Sequence, residues 1–260
     1  MRAIILAAGK GLRLNGLIGD APKCLLQVGG TTLLERQISI LETFGIDDIV
    51  VVVGYKADCV RDLIGPRASF LMNDIYDQTN SLYSLWLARH LIEDGFVVLN
   101  GDVLFHPRML RRLLRAPAED ALLISNRDSA SVFTDEEMKV KVRDGKIVDI
   151  SKKLALSDTD GENVGIGKFG SRGAQLLIEK MNALIAQGSV RDWAPRAFLE
   201  VARERPLSAV STNGYPWIEI DFPEDYNRAV DHILPRIESI GAVKSAHATT
   251  DDRELALNAV

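Results

Sequence analysis

Cysteine, histidine, basic charge and long apolar runs are all in short supply in this chain, and each shortage removes a class of function. Two cysteines, Cys24 and Cys59, provide no disulfide framework and no Cys-x2-Cys metal spacing. Cys24 reads as a small buried filler. The four histidines, His90, His106, His232 and His247, are scattered, which argues against a zinc site. Lys and Arg number 31 against 36 Asp and Glu, a net charge of −5, so the basic face of a nucleic-acid binder is not expected. A nucleotide pocket needs only local cations and survives that test. No segment approaches the roughly 20 apolar residues of a membrane span. The N-terminal apolar run turns glycine-rich too soon for a signal peptide. With 47% hydrophobic and 26% charged residues, the composition is that of a globular protein. The expectation is a cytoplasmic enzyme without nucleic-acid or membrane partners.

What is present begins at the N-terminus. Met1–Ala8 is a short apolar run that breaks into Gly9-Lys10-Gly11-Leu12-Arg13, and Pro22-Lys23 follows one loop later. A buried strand ending in a glycine-rich loop lets backbone N–H groups approach phosphate oxygens. Arg13 and Lys23 supply cations to neutralise them. Two better-known phosphate loops do not fit. Lys10-Gly11 is followed by Leu12, without the Ser or Thr of a Walker loop. The third glycine of a dinucleotide fingerprint is replaced by Leu14.

Further along, apolar runs alternate with helical patterns. Ala3–Ala8, Asp48–Val53, Ala68–Met72, Phe96–Leu99 and Ala121–Ser125 read as strands. Helical segments between them are Thr32–Phe44, Lys56–Ile64, Ser81–Leu91 and His106–Leu114. This order predicts an α/β fold with a doubly wound, mostly parallel sheet. Met138–Val142 and Lys146–Ile150 around Asp144-Gly145 read as a β-hairpin. Val164–Phe169 follows as a strand, Gly173–Ile185 and Asp192–Glu204 as helices, Pro206–Ser211 and Trp217–Asp221 as late strands, and Pro223–Leu234 as a helix. One domain, residues 1–238, is expected, with a lid-like hairpin insertion at about 135–155; residues 239–260 read as a mobile tail.

In doubly wound sheets ligands sit at the carboxyl ends of strands. Asn73-Asp74, Gln78–Ser81, Asn100-Gly101-Asp102 and Asp221 all fall at such ends. A carboxylate directly after a buried strand can hold a hard cation near a phosphate, and Mg²⁺ commonly uses one or two carboxylates. Asp102 is the leading candidate and Asp221 the second. The alternation Trp217-Ile-Glu-Ile-Asp221 places Glu219 and Asp221 on one side of a strand.

Leu6-Ala-Ala-Gly-Lys-Gly-Leu-Arg13 with Pro22-Lys23 resembles the L-A-A-G-x-G-x-R…P-K signature of the sugar-phosphate nucleotidyltransferase superfamily. Gly101-Asp102 and Trp217–Asp221 resemble its two metal-binding segments. Asn73–Leu87 looks like the phosphocholine cytidylyltransferase branch, and Glu137–Val140 with Ile150–Lys153 like cytidylyltransferases of phosphonate biosynthesis. The resemblance implies a Rossmann-like nucleotidyltransferase fold, Mg²⁺ as cofactor, and CTP plus a small phosphate or phosphonate acceptor as partners. A homodimer is admitted. Leu6, Ala7, Ala8, Gly9, Asn80 and Ser81 would meet the nucleoside, and Gly11, Arg13 and Lys23 the triphosphate; Asp102 and Asp221 would bind Mg²⁺. Arg13, Lys23, Asp102 and Asp221 are thus the expected catalytic set. Lys139 and Lys152 are candidates for the acceptor phosphate, the ordinary alternative being solvated hairpin lysines.

Tyr83, Trp193, Tyr215 and Trp217, with Asp192 and Glu219, could line an acidic aromatic pocket suited to an amine or quaternary ammonium. Phosphocholine or 2-aminoethylphosphonate would fit it. The site reads Asn80-Ser81 where many sugar nucleotidyltransferases carry Gly-Thr, which favours the cytidylyl branch. The alternatives are transfer to a sugar-1-phosphate or inositol-1-phosphate, and a regulatory nucleotide binder without turnover.

Overall fold

The computed structural model describes residues 1–126 and 136–240. The chain opens with β1 (Arg2–Ala7), the short α1 (Asn15–Ile18), the small hairpin β2 (Gln27–Val28) and β3 (Thr31–Thr32), and α2 (Leu33–Thr43). It continues through β4 (Ile49–Val53), α3 (Ala57–Ile64), β5 (Ser69–Met72), α4 (Ser81–Leu87), β6 (Gly95–Asn100), β7 (Val103–Phe105) and α5 (Pro107–Arg115). Then come β8 (Ala121–Asn126), β9 (Lys139–Arg143), β10 (Lys146–Ser151), β11 (Gly161–Gly170), α6 (Ser171–Ala186) and α7 (Pro195–Glu204). β12 (Ser208–Ser211), β13 (Trp217–Glu219) and α8 (Pro223–Arg228) complete it; a π-helical turn over Ala229–Ile233 carries α8 on into helix through residue 240. Residues 241–260, most of the expected tail, lie outside the described residues.

Among the described residues the central sheet has nine strands in the order β5-β4-β1-β6-β11-β8-β12-β10-β9. β11 and β10 run against the others, so the sheet is mixed but mostly parallel. Both of its faces are covered. Ala3, Ile5 and Ala7 pack with α2, α3 and α5, while Ile4, Val50, Val52, Phe96 and Val98 pack with α4, α6 and α7. Two covered faces leave no place for polar alternation, which is why β4 reads Ile-Val-Val-Val-Val and is buried at every position. Thr32 starts α2 with a capping box: its Oγ1 accepts the Glu35 N–H at 3.2 Å, and Glu35 accepts the Thr32 N–H at 3.1 Å.

The expected hairpin is present, and it is sewn into the sheet. Asp144 (φ 50°) and Gly145 (φ 70°) form its turn, the left-handed pair that a tight hairpin requires. β10 pairs with β12, and β9 pairs with both β10 and the first residues of β11. β11, β8, β12, β10 and β9 therefore close into a ring that joins the hairpin to the parallel half. A third apolar cluster joins Leu14, Leu26, Val28, Leu33, Leu104, Ile218 and Ile220 to the C-terminal helix through Ala229 and Leu234. It fastens the segments after β1 to the β7–β13 ladder.

Candidate active site

The cleft lies at the carboxyl ends of β1 and β6. Gly101 brings these ends together: its N–H reaches Leu6 O at 2.9 Å, and a Cβ there would meet that same oxygen at 2.9 Å. Asp102 follows at once. Val103 pairs with Glu219 across the antiparallel β7–β13 ladder, and Ile220 N donates to Asp102 O at 3.1 Å, which sets Asp221 beside Asp102. Pro22 and a 3-10 turn over Lys23–Leu25 deliver Lys23 to both acids. Its Nζ is 2.7 Å from Asp102 Oδ2 and also bonds Asp221 Oδ1.

This group of charges is self-compensating. Burial disfavours the Lys23 charge, but Asp102 and Asp221 outweigh burial and raise its pKa above the ordinary value. Burial likewise pushes Asp221 up, but the Lys23 ammonium holds it below the usual carboxylate range. For Glu219 the Lys23 ammonium compensates too little. Burial, then repulsion from Asp102 and Asp221, push it well above that range. Burial pushes the neighbouring Cys24 thiol up to about 12, so it stays an unreactive filler.

Leu6, Ala8, Gly9, Arg13, Asn80, Ser81, Asp102, Lys152, Trp193, Glu219 and Asp221 all line one cleft of about 370 Å³. Ala7 instead points into the core, and Gly11 (φ 70°) makes the turn that accepts the Leu14 N–H at 2.9 Å. The cleft also holds Asn73, expected at a strand end, and residues that the sequence did not single out, among them Ser84, Pro195 and Glu136. Asn73 is buried and donates to Thr79 Oγ1 at 3.0 Å and Ser84 Oγ at 3.1 Å, shaping the wall before α4. Ser81 Oγ accepts the Ala194 N–H at 2.9 Å, which draws Trp193 and Pro195 to the rim. Glu136 Oε2 bridges Arg13 at 3.3 Å and Lys152 at 3.4 Å.

Other expected positions are not brought to the cleft. Lys139 is 2% exposed, neither a cleft residue nor a solvated hairpin lysine, because β9 is enclosed between β10 and β11. Tyr83 packs its ring on Trp86, centroids 5.3 Å apart. Asp192 lies before α7, which starts at Pro195, and accepts the Leu82 N–H through its backbone at 3.2 Å. Tyr215 stacks on His106 instead. Trp217 lines an adjoining second cavity of about 560 Å³ with Glu137, Glu162, Phe222 and Asp225. Glu136, Glu219 and Asp221 form the wall common to both spaces. Burial, then Glu137, push Glu162 up to about 7.

Comparison with known proteins identifies the family of the chain. A family model described as the MobA-like NTP transferase domain matches residues 3–213. The chain belongs to this family. Within it, the chain is 38% identical to the choline-phosphate cytidylyltransferase of Streptococcus pneumoniae, over 90% of this chain and 98% of that one. It is 28% identical to a CMP-5'-(3-aminopropyl)phosphonate synthase of Streptomyces rubellomurinus, over 95% of this chain and 41% of that one. The solved structure of the CTP:phosphocholine cytidylyltransferase from S. pneumoniae superposes with a TM-score of 0.75 at 26% identity, covering 87% of this chain and 96% of that chain. The chain spans about half the length of other curated relatives that it matches, 51% of one and 56% of another. No helix among the described residues is long and apolar enough to cross a membrane.

Proposed function

We propose that this MobA-like domain moves CMP from CTP to a small phosphorylated or phosphonate acceptor that carries a cationic amine, with release of pyrophosphate. The observation that carries this reading is the convergence of Lys23, Asp102 and Asp221 at the glycine-rich loop. The adjoining acidic cavity with its aromatic wall supports the choice of acceptor. So do the activities for which the two relatives above are named, one acting on choline phosphate and one making a CMP-aminopropylphosphonate.

An acceptor oxygen that is already anionic needs no strong base. It forms a bond to the α-phosphorus, the bond from that phosphorus to the β-phosphate oxygen breaks, and the electron pair departs on pyrophosphate. The obstacle is the approach of two polyanions, so the chain's work is positioning and neutralisation. In this reading the backbone of Gly9 and Gly11 cradles the phosphates, and Arg13 and Lys23 offset charge on the leaving group. Lys152 faces the acceptor phosphate. Glu219 and Glu162, whose carboxyls are held toward the protonated form, ionise beside the cationic amine and pair with it, and Trp217 offers its ring face to it.

Mg²⁺ fits the donor set. Asp102 and Asp221 aim hard oxygens at one shared cation, the Lys23 ammonium, and Asp102 Oδ1 is buried without a hydrogen-bond partner among the described residues. Asp102 and Asp221 would hold the ion, which when bound supplies charge neutralisation and orientation of phosphate oxygens.

Pyrophosphate release with Mg²⁺, crossing the four nucleoside triphosphates with phosphocholine, 2-aminoethylphosphonate, inositol-1-phosphate and glucose-1-phosphate, tests this. Release with CTP and an amine-bearing acceptor, falling at least ~100-fold in Asp102→Asn, is expected. Release with a sugar phosphate alone would overturn the acceptor assignment. Undiminished release by Asp102→Asn would remove Asp102 from the mechanism.

A further inference from the structure

Asp102 has little to hold its carboxylate. Among the described residues Oδ2 bonds only Lys23, and Oδ1 is buried with no partner. The direction of the side chain is therefore inherited from the backbone of its turn. Three elements pin that turn. Gly101 N donates to Leu6 O at 2.9 Å, and Ile220 N donates to Asp102 O at 3.1 Å. The third tie is a side chain. Gln37 on α2 donates from Nε2 to Asn100 O and to Val103 O, each at 2.9 Å. Those two carbonyls flank Gly101-Asp102 on either side.

Gln37 is 1% exposed, and its Oε1 is buried without a partner among the described residues. Leaving a buried acceptor unmatched is costly, so an amide placed only to fill the core is a poor choice. The carboxamide has one orientation here, because both carbonyls can only accept and the NH₂ group alone can donate to them. A leucine or methionine would fill the same space among Leu33, Leu34, Ile38 and Leu41 of the same helix, but it would release both carbonyls.

We propose that Gln37 is a positioning residue for Asp102: its carboxamide staples Asn100 to Val103 and so fixes the turn from which Asp102 reaches the cleft. This rests on the reading of Asp102 given above. Gln37 touches no substrate in this scheme and acts only through the turn.

The test is a double-mutant cycle of Gln37→Met and Asp102→Asn, read by pyrophosphate release with CTP and phosphocholine and by thermal unfolding. Displacement of a reacting group by about 1 Å costs up to ~100-fold, so Gln37→Met should lower kcat by roughly 10–100-fold with the KM for CTP little changed. In the Asp102→Asn background the same change should cost no more, because the group it positions is already disabled. Gln37→Glu regains one donor when protonated, so its kcat relative to wild type should rise as the pH is lowered. This variant carries the comparison if Gln37→Met folds poorly. A kcat for Gln37→Met within about twofold of wild type, or an equal loss in both backgrounds, would overturn the proposal while leaving Asp102 in place. Full activity of Asp102→Asn would instead remove the underlying reading, and the positioning role with it.

Discussion

Replacing Lys23 by methionine keeps the bulk of the side chain and removes its charge. The consequence is set by what the ammonium neutralises. The Lys23 side chain is only 12% exposed, and it bonds two carboxylates with Glu219 close behind. Removing one partner of a buried pair costs about 3–5 kcal/mol because the other charge is stranded. Asp102 and Asp221 are 23% and 34% exposed, so water relieves part of this and the lower end, about 3 kcal/mol, is expected. For a domain of this size that corresponds to a fall in Tm of about 6–12 °C.

The pH dependence has a definite sign. Lys23 has a raised folded pKa, so its contribution is present below the ordinary 10.5 and is lost as the pH climbs through the folded value. Asp221 has a lowered folded pKa, so its contribution is present above the ordinary 3.8 and is lost as the pH falls through the folded value. The gap between wild type and Lys23→Met should thus be widest at intermediate pH and narrow at both extremes. Mg²⁺ should raise the Tm of the variant more than that of wild type, where Lys23 competes for the same oxygens. Turnover should fall at least ~100-fold. Thermal unfolding from acid to alkaline pH, with and without Mg²⁺, checks all of this. A Tm within about 2 °C of wild type at neutral pH would refute the charge argument.

Two further substitutions separate stability from binding. The Glu162 carboxyl, pushed up to about 7 from an ordinary 4.5, contributes fully below 4.5 and loses that stability as the pH rises through 7. Glu162→Gln should therefore stabilise the fold by up to roughly 3 kcal/mol above pH 7 and change nothing below pH 4.5, while raising the KM for an amine-bearing acceptor; urea unfolding at two pH values and acceptor titration check it. Glu136→Gln releases Arg13 and Lys152 from an exposed carboxylate. An exposed pair is worth about 0.2–1 kcal/mol, so the KM for CTP or for the acceptor should drop by about 1.4–5-fold in steady-state kinetics, and a rise would show that Glu136 helps to hold substrate.

The parts of the site legible in the sequence are those with a local signal. A strand that ends in glycine announces itself, so Gly9, Arg13, Asp102 and, within the Trp217–Asp221 run, Glu219 and Asp221 could be singled out, and each of these lines the cleft. What failed depended on which strands become neighbours. Lys139-Val-Lys-Val-Arg143 alternates like a half-exposed hairpin strand, yet the far pairing of β9 with Gly161 and Glu162 buries Lys139. The same ring closure brings Glu162 to the second cavity, and no spacing around it says so. From sequence Asp192 reads as the start of a helix, but Pro195 supplies the fixed φ that starts α7. Gln37 looks like an ordinary polar residue on an amphipathic helix, and its role exists only through Asn100 and Val103.

The most direct test of nucleotidyl transfer is the ³¹P NMR spectrum of a reaction containing the protein, CTP, Mg²⁺ and phosphocholine or 2-aminoethylphosphonate. The expected result is loss of the CTP and acceptor signals, growth of pyrophosphate, and a new pair of coupled resonances from a CMP–acceptor anhydride. A spectrum in which CTP and both acceptors persist unchanged, while a sugar phosphate is converted under the same conditions, would contradict the proposed acceptor and the role of the acidic second cavity.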